Sequence, residues 1–284
     1  MKFASYAVSG RSSFGVVVGE QIFDLNEILA SEDLRGALKS GALAAFVRAS
    51  KLEGLPVRDL VTLRLLPVLP RPGRLLCIGR NYADHAAEMK TPPPRHPSVF
   101  LRTPESLVAP SAPLIRPSAS EAFDFEGELA VVIGSAGRDI PEARAMEHVF
   151  GYSCFNDGSV RDFQFDHSLT AGKNFDGTGS FGPFLVSADE VGDPRKLTLR
   201  TLVNGREMQH AQISDLLFDI PFLIAYLSRV MKLEPGDVIA TGTPSGAGFS
   251  RKPPVWLRPG DTVEVSISGV GVLRNTVAQR EIED

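Results

Sequence analysis

Apolar and polar side chains alternate along residues 123–134, FDFEGELAVVIG, and this alternation predicts a β-strand. Successive side chains of a strand point to opposite faces, so Asp124, Glu126 and Glu128 are expected on one face. The other face is expected to enter a core through Phe123, Phe125, Leu129, Val131 and Ile133. Neighbouring carboxylates repel one another unless a cation neutralises them, and hard oxygen ligands suit magnesium, calcium or manganese. The alternative is a solvated outer face of an antiparallel strand.

Short runs with strand character, separated by Gly and Pro, fill the last two-thirds of the chain. They comprise residues 74–79, 98–102, 128–134, 181–187, 198–205, 237–242 and 261–277. Two stretches have helical spacing: 141–150, which opens with Pro141, and 214–233, which Ser214 can cap and Pro221 should kink or restart. Many strands and few helices predict an α+β, β-rich fold rather than a regular βαβ alternation.

The pattern of the first 68 residues predicts a separate N-terminal domain. Residues 14–25 read as two short strands around a Gly-Glu turn, and residues 34–52 have helical spacing. A proline-punctuated stretch then follows, with Pro67, Pro70 and Pro72. We therefore predict a small N-terminal α/β domain over residues 1–68 and a second domain over residues 69–284.

Composition narrows the class of protein. The chain has 284 residues, of which 43% are hydrophobic and 23% charged, as expected of a globular protein with a sizeable core. A formal net charge of −4 leaves no basic surplus for binding nucleic acid. Cys77 and Cys154 both lie in apolar segments and are expected to be buried and reduced. No apolar run has the length of a signal peptide or a membrane span. We expect a cytoplasmic protein without a membrane partner.

A second acidic position is Asp157, in the Asn-Asp-Gly turn of FNDGSVRDFQ, residues 155–164. One interpretation is a turn aspartate that bonds to its own backbone. The other is a third oxygen ligand that joins Glu126 and Glu128 at the end of a strand. The spacing along the sequence does not decide between them.

GRNYADHAAEM, residues 79–89, holds a possible acid–base pair. On a helix, His85 and Glu88 lie one turn apart, and a carboxylate in that position fixes the tautomer of a histidine and raises its basicity. The alternative is an ordinary pair on a surface helix. Because the segment follows Gly79 and runs into the proline-rich residues 91–97, we interpret it as a mobile flap.

Two glycine-rich loops contain further candidate functional residues. Lys173 lies in LTAGKNFDGTGSFGP, where it can bind a substrate carboxylate or stabilise an enolate. The same loop has the GxGxxG spacing of dinucleotide sites, but a strand follows it instead of a helix, which argues against a NAD-dependent oxidoreductase. In DVIATGTPSGAG, residues 237–248, the amides and hydroxyls, notably that of Thr243, can face an anion. The alternative is an ordinary turn.

Taken together, these five segments resemble the motif series of the fumarylacetoacetate hydrolase (FAH) family, in the family's order, over about residues 72 to 280. The resemblance implies a mixed β-sandwich roll as the catalytic domain, a magnesium or manganese site in which calcium can stand in crystals, and a homodimer. It implies the metal ligands Glu126, Glu128 and Asp157, with Asp124 outside the ligand set. It also implies a catalytic pair, His85 and Glu88, on a lid, and substrate-contacting residues Gln164, Lys173 and Thr243.

The activity that the resemblance implies is 2-oxo-acid chemistry through a metal-stabilised enolate. Our principal hypothesis is hydrolysis of a carbon–carbon bond in an acylpyruvate, a β-diketo acid. The alternatives are isomerisation of a 5-carboxymethyl-2-hydroxymuconate or 2-hydroxyhepta-2,4-diene-1,7-dioate type of compound in aromatic catabolism, and decarboxylation of oxaloacetate. A metal-stabilised binding protein without activity is the non-enzyme alternative, and the presence of both His85 and Glu88 argues against it.

Overall fold

The computed structural model describes residues 1–8, 10–89, 92 and 94–280. The strands are β1 (Lys2–Val8), β2 (Arg11–Val18), β3 (Gln21–Asp24), β4 (Val57–Asp59), β5 (Arg64–Leu65), β6 (Leu75–Gly79), β7 (Ser98–Arg102), β8 (Leu107–Val108), β9 (Leu114–Arg116), β10 (Phe123–Asp124), β11 (Gly127–Ile133), β12 (Val149–Asn156), β13 (Ser159–Val160), β14 (Gly179–Ser187), β15 (Thr198–Val203), β16 (Arg206–Gln212), β17 (Val238–Ala240), β18 (Thr262–Ile267) and β19 (Gly271–Gln279).

The helices are α1 (Leu34–Lys39), α2 (Ala42–Ala49), α3 (Ala83–Glu88), α4 (Arg161–Asp166), α5 (Leu169–Lys173), α6 (Ala188–Val191) and α7 (Ile220–Val230). Short 3₁₀ helices span Leu60–Thr62, Pro104–Ser106, Glu142–His148, Pro194–Lys196, Ile213–Asp215 and Gly248–Ser250. Within the described ranges, no helix is both long and apolar enough to cross a bilayer.

Three sheets organise the strands. The described residues form a twelve-stranded sheet in the order β4-β3-β2-β1-β14-β12-β11-β17-β6-β7, with β5 beside β1 and β8 beside β14. A five-stranded sheet has the order β16-β15-β18-β19-β9, and β10 pairs with β13. Most pairs are antiparallel, while β17–β6, β14–β8 and β19–β9 are parallel. This mixed, β-rich architecture confirms the α+β class.

The large sheet is covered on both faces. On one face, Leu129 and Val131 of β11 share a core with residues of the five-stranded sheet and α7, such as Val265 and Leu223. On the other face, Ala130 belongs to a second core that includes apolar residues of α1 and α2. Sheet-on-sheet packing of this kind is a β-sandwich. Because β11 is buried on both faces, it is a central strand and not a surface strand.

The stretch from Phe123 to Gly134 differs from the single strand that the alternation predicts. The strand breaks between β10 and β11. Asp124 Oδ1 accepts a hydrogen bond of 2.8 Å from the neighbouring Phe125 N–H, and Glu126 N–H donates to the side chain of Asn156, at 3.1 Å. Because side chains take these two amides, they are lost to the sheet ladder. Asp124, Glu126 and Glu128 are all buried, so the alternative of a solvated strand face is wrong.

The N-terminal strands continue the large sheet. Strands β2 and β3 confirm the hairpin expected over residues 14–25. Strand β1 pairs with β14, where Lys2 faces Val186 and Phe3 faces Leu185. Phe3 and Leu185 belong to the same apolar core. The division of the chain at residue 68 stays a prediction.

Two helix predictions need correction. Residues 142–148 form a 3₁₀ helix, and the chain then enters β12 at Val149 because this apolar run fills the position between β11 and β14. The second helix begins only at Ile220: Asp219 caps it by accepting from Phe222 N–H at 2.9 Å, and Pro221 lies in its first turn, where no N–H is needed. Ser214 lies in the preceding 3₁₀ turn instead of capping the helix.

Candidate active site

Except for Glu88, the side chains with predicted roles line one cavity of about 260 Å³. Its lining is Ile78, Gly79, Arg80, His85, Met89, Ser98, Phe100, Glu126, Glu128, Asp157, Gln164, Phe165, Leu169, Lys173 and Thr243. A larger groove of about 790 Å³ runs along the N-terminal strands, beside Arg11 and Asp24. The smaller cavity is the functional candidate, because the buried ionisable groups converge on it.

Strand pairing assembles the acidic cluster. Gly127 pairs with Asn156 across the antiparallel strands β11 and β12, so the residues just beside this pair become neighbours. The Asp157 N–H donates to the Glu126 carbonyl at 2.8 Å. As a result, one carboxylate oxygen from each of Glu126, Glu128 and Asp157 lies within 4.8 Å of the others. Asp124 is outside this group.

Lys173 neutralises part of the cluster. It ends α5, whose N-terminus Ser168 caps by accepting from Ala171 N–H. Its Nζ lies 2.7 Å from Glu126 Oε2, 2.6 Å from Asp157 Oδ2 and 3.2 Å from the Asp157 carbonyl. An ammonium has three protons, and these contacts use all three. The predicted contact of Lys173 with substrate stays a prediction.

Two buried arginines were missed by the sequence analysis. Arg161 Nε lies 2.7 Å from Asp124 Oδ2, and its Nη2 lies 2.6 Å from Glu126 Oε1. Arg102 Nη1 lies 2.5 Å from Asp157 Oδ1. The signal for Arg161 was its place four residues after Asp157 in the same motif. The pairing of Arg102, at the end of β7, joins residues 55 positions apart and leaves no local pattern.

The charges of this cluster do not balance. Arg102, Arg161 and Lys173 face four carboxylates in these pairs and in the acidic group: Asp124, Glu126, Glu128 and Asp157. Burial, reinforced by Asp157 and Glu126, raises the pKa of the Glu128 carboxyl well above its usual range. Burial alone would also raise the pKa of Glu126, but Arg161 and Lys173 outweigh it and hold that pKa below its usual range. With all four carboxylates ionised, the cluster is one positive charge short of neutral.

The donor set fits a hard divalent cation. Among the described residues, the one hydrogen bond that Glu128 accepts comes from Gly242 N–H, to Oε2 at 2.9 Å, and Oε1 is left for another partner. Oxygen ligands from three carboxylates suit magnesium, manganese or calcium rather than a soft metal. Glu126, Glu128 and Asp157 are thus the residues that could hold such an ion.

The histidine–carboxylate pair has the geometry expected from its spacing. His85 and Glu88 both lie on α3, and His85 Nδ1 is 3.4 Å from Glu88 Oε2. The other oxygen of Glu88 accepts from Gly246 N–H at 2.9 Å and from Ser250 Oγ at 3.0 Å. Burial would raise the pKa of Glu88, but these bonds and His85 lower it overall. Phe249 meets the His85 ring edge-on, with centroids 6.0 Å apart. The imidazole is therefore fixed on two sides.

Thr243 and Gln164 line the cavity but already have protein partners. The Thr243 hydroxyl donates to the Gly127 carbonyl at 3.0 Å and accepts from Gln209 Nε2 at 2.8 Å. Its proton is therefore committed, which differs from the expectation that this hydroxyl faces an anion. Gln164 Oε1 accepts from Arg161 Nη1 at 2.9 Å, and its amide nitrogen has no hydrogen-bond partner among the residues that the structure describes. Gln209, which holds Thr243, was not foreseen.

Two further expectations concern loops. The glycines of the GxGxxG spacing lead into strand β14 and not into a helix, as expected. The flap interpretation covers α3 and the proline-rich stretch that follows. Lys90, Thr91 and Pro93 of this region lie outside the described residues, and the flap stays a prediction.

The chain is similar in sequence to known proteins. Residues 74–278 match the family model "Fumarylacetoacetate (FAA) hydrolase C-terminal". The chain is 38% identical over 265 residues to the mitochondrial oxaloacetate tautomerase fahd2 of Xenopus laevis, covering 91% of this chain and 83% of that protein. It is 42% identical over 227 residues to the 4-hydroxyphenylacetate degradation bifunctional isomerase/decarboxylase of Escherichia coli, covering 79% of this chain and 51% of that protein.

A solved structure shows the same relationship. Maleylpyruvate hydrolase from Sphingobium sp. SYK-6, in complex with manganese(II) and pyruvate, is similar to the chain with a TM-score of 0.81 and 30% identity. The similarity covers 99% of this chain and 100% of that one. The chain belongs to the fumarylacetoacetate hydrolase family.

Proposed function

We propose that this family member is a divalent-metal-dependent enzyme that hydrolyses the carbon–carbon bond of an acylpyruvate. One observation carries the proposal: the imidazole of His85 and the acidic cluster line the same cavity of about 260 Å³. A cavity of this size suits a small organic acid. The base and the charged centre can therefore act on one substrate molecule.

Glu126, Glu128 and Asp157 are proposed to hold magnesium or manganese. The manganese in the Sphingobium maleylpyruvate hydrolase supports this choice. A divalent cation there supplies a Lewis acid that polarises the 2-oxo group of the substrate and favours an enolate. The cluster has four carboxylates and three cationic side chains, so two further positive charges would leave it with a net charge of +1. A small net positive charge favours an anionic substrate.

His85 is proposed as the general base. In the tautomer with the proton on Nδ1, directed at Glu88 Oε2 3.4 Å away, Nε2 can take a proton from water. The water oxygen then attacks the distal carbonyl carbon of the acylpyruvate. The bond between that carbon and the methylene group breaks, and its electron pair forms the enolate of pyruvate. The protonated His85 can return the proton to the methylene carbon, which gives pyruvate and a carboxylic acid.

We propose that Lys173, through its charge, and Gln164, through its side-chain amide, act on the 2-oxo-acid end of the substrate. Lys173 Nζ and the Gln164 amide lie on the cavity wall beside the acidic cluster. A fixed ammonium stabilises negative charge where it develops, provided that it is already in place before reaction. Lys173 meets that condition because two carboxylates fix it.

A second candidate is proton transfer without hydrolysis. The relatives from Xenopus laevis and Escherichia coli are named for tautomerisation and for isomerisation and decarboxylation. Each of these reactions can pass through an enolate of a 2-oxo acid. His85 would then move a proton between substrate atoms or protonate the enolate, with no attacking water.

A substrate panel tests the proposal. The protein, loaded with Mg²⁺ or Mn²⁺, is incubated with acetylpyruvate, oxaloacetate and 5-carboxymethyl-2-hydroxymuconate, and products are followed by NMR. Acylpyruvate hydrolysis predicts equal amounts of acetate and pyruvate. Turnover of the other compounds alone would support the second candidate. No turnover of any compound, with metal bound, would favour a binding protein.

We also infer a homodimer in the cytoplasm. Support comes from the family resemblance and from the two buried, free cysteines, Cys77 and Cys154. Light scattering after size exclusion tests the assembly: a dimer has twice the 30.6 kDa mass of the chain. A single species at the monomer mass would contradict it. Fractionation of the source cells tests the compartment.

A further inference from the structure

Residues 246–250, here the bridging loop, contact both members of the histidine–glutamate pair. The first residue of the loop, through its N–H, and the last residue, through its hydroxyl, donate to Glu88 Oε1 at 2.9 and 3.0 Å. The ring of Phe249 packs against the edge of the His85 imidazole. The position of the bridging loop therefore sets where the Glu88 carboxylate and the His85 ring lie.

A buried carboxylate, Asp124, binds the bridging loop from the other side. Its Oδ1 accepts from Gly248 N–H at 2.8 Å, and its Oδ2 accepts from Phe249 N–H at 3.1 Å. The same Oδ2 accepts from Arg161 Nε at 2.7 Å, and the guanidinium carbon of Arg161 lies 4.4 Å from the centroid of the Phe249 ring. A buried charged pair thus holds the loop through its backbone amides and through a cation–π contact.

The chain allows this close approach because glycine occupies two positions of the bridging loop. A Cβ atom at Gly248 would lie 2.6 Å from Asp124 Oδ1 and would overlap the Val255 carbonyl. Gly246 has a φ of +100°, where glycine is favoured, and a Cβ atom there would overlap the Met208 carbonyl. Neighbouring backbone therefore encloses the loop, so that the loop keeps one position relative to Asp124.

We propose that Asp124 is a positioning residue of the reaction, which fixes the base through the bridging loop. This inference rests on the proposed role of His85. Arg161 binds both Asp124 and the proposed metal ligand Glu126, so the base and the acidic cluster share one support. Such support matters because catalytic groups must be held within about 0.5 Å of their productive geometry. Glu88, placed by the loop, in turn keeps a proton on His85 Nδ1.

Nitrogen-15 NMR of the histidine side chains tests the assignment. The spectra are recorded on the full-length protein at saturating Mg²⁺ and about pH 8.5, where imidazole is normally neutral. The signals of His85 are those that His85→Gln lacks. We expect the wild type to carry the His85 proton mainly on Nδ1. In Asp124→Asn, an amide group replaces one of the two accepting oxygens, and the ratio of the Nδ1–H to the Nε2–H tautomer should fall roughly fivefold, as for the loss of one ordinary hydrogen bond.

A second variant and a control separate the loop from the charge of the cluster. Gly248→Ala needs the space of Asp124 Oδ1 but keeps every charge in place, so it should lower the tautomer ratio as well. Asp162→Asn removes a carboxylate that binds the Ser120 hydroxyl and should leave the His85 signals unchanged. If Asp124→Asn does not fold, Asp124→Glu, which keeps the charge and moves the oxygens, replaces it. A change at only one of positions 124 and 248, at neither, or in Asp162→Asn as well would overturn the assignment.

Kinetics separate this inference from the proposed function. With acetylpyruvate, kcat should fall roughly 10- to 100-fold in the variants at positions 124 and 248, as for a displaced catalytic group, while KM stays within about threefold. An unchanged kcat in both would also overturn the role of Asp124. No turnover of acetylpyruvate by the wild type would contradict the proposed function, and the tautomer ratio would still decide whether Asp124 positions His85.

Discussion

Arg161 and Glu126 form an ion pair inside the protein, with Nη2 2.6 Å from Oε1 and both side chains buried. The same guanidinium also binds Asp124. One member of the proposed metal-ligand set is thus oriented by a protein cation. The pair joins α4 to the turn between β10 and β11, so the acidic cluster and the fold depend on the same contact.

Replacement of Arg161 should therefore be strongly destabilising. Arg161→Gln removes the cation that pairs with Asp124 and one of the two cations that pair with Glu126, and breaking such a buried pair costs roughly 3–5 kcal/mol. Chemical denaturation of the metal-free protein measures this free energy of unfolding. Arg144→Gln, which removes an exposed pair with Glu147, is the matched control and should have little effect. Equal stability of the two variants would contradict the structural role of Arg161.

Metal binding should depend on Glu128. Glu128→Gln keeps an oxygen for Gly242 N–H but loses the charge of one proposed ligand. Since even a lost outer partner of a metal ligand costs 10- to 100-fold in affinity, we expect Mn²⁺ binding to weaken by at least about 100-fold. Calorimetry measures the affinity, and Glu142→Gln, at an exposed position outside the cluster, should bind as the wild type does. Unchanged affinity in Glu128→Gln would contradict the ligand assignment.

Glu88 should make stability depend on pH in a defined direction. Burial raises its pKa, but the hydrogen bonds from His85, Gly246 and Ser250 lower it overall. A carboxyl with a lowered folded-state pKa stabilises the protein above its unfolded-state pKa of about 4.3, and this contribution is lost as the pH falls through the folded-state pKa.

The comparison of wild type with Glu88→Gln tests this direction. The difference in free energy of unfolding should be largest near neutral pH and should shrink below about pH 4.3. Urea denaturation between pH 3 and pH 7 measures it. Ser250→Ala removes one of the stabilising bonds and should reduce the pH-dependent part. A difference that grows toward acid pH would show that the lowered pKa is wrong.

Arg80 has a φ of +58°, in the left-handed region, and this reverses the usual order of stability of glycine and alanine variants. At ordinary positions, glycine is less stabilising than alanine by roughly 0.5–1 kcal/mol. At φ +58°, the left-handed backbone is unfavourable for alanine but not for glycine. The free energy of unfolding of Arg80→Gly should therefore exceed that of Arg80→Ala by up to about 1 kcal/mol. Chemical denaturation of the two variants measures the order. A more stable alanine variant would show that the backbone at this position relaxes.

Local sequence patterns were sufficient to predict many of the residues of the candidate active site. Alternation indicated Glu126 and Glu128, the helical spacing indicated His85 and Glu88, and the turn indicated Asp157 as one of two interpretations. Each of these signals reaches only a few residues along the chain. The structure brings all five residues to one region, with Glu88 behind His85.

Long-range contacts explain what the sequence did not reveal. Arg102 and Asp157 pair across the fold, and the partners of Thr243 lie on β16 and at the start of β11. The break before β11 arises because Asn156 takes the amide of Glu126. The helix expected over residues 141–150 is a 3₁₀ helix that ends at His148, and the chain enters β12 at Val149, since burial in the centre of the large sheet outweighs local helical spacing there.

Pyruvate release from acetylpyruvate by His85→Ala is the most direct test of the proposed enzyme. Wild type and variant are compared at saturating Mg²⁺, with metal occupancy verified in each by calorimetry. We expect that wild-type hydrolysis requires the metal and that the variant, with metal bound, is slower by a factor on the order of 10² to 10⁴, as for loss of a positioned general base. Hydrolysis by His85→Ala at the wild-type rate would contradict it.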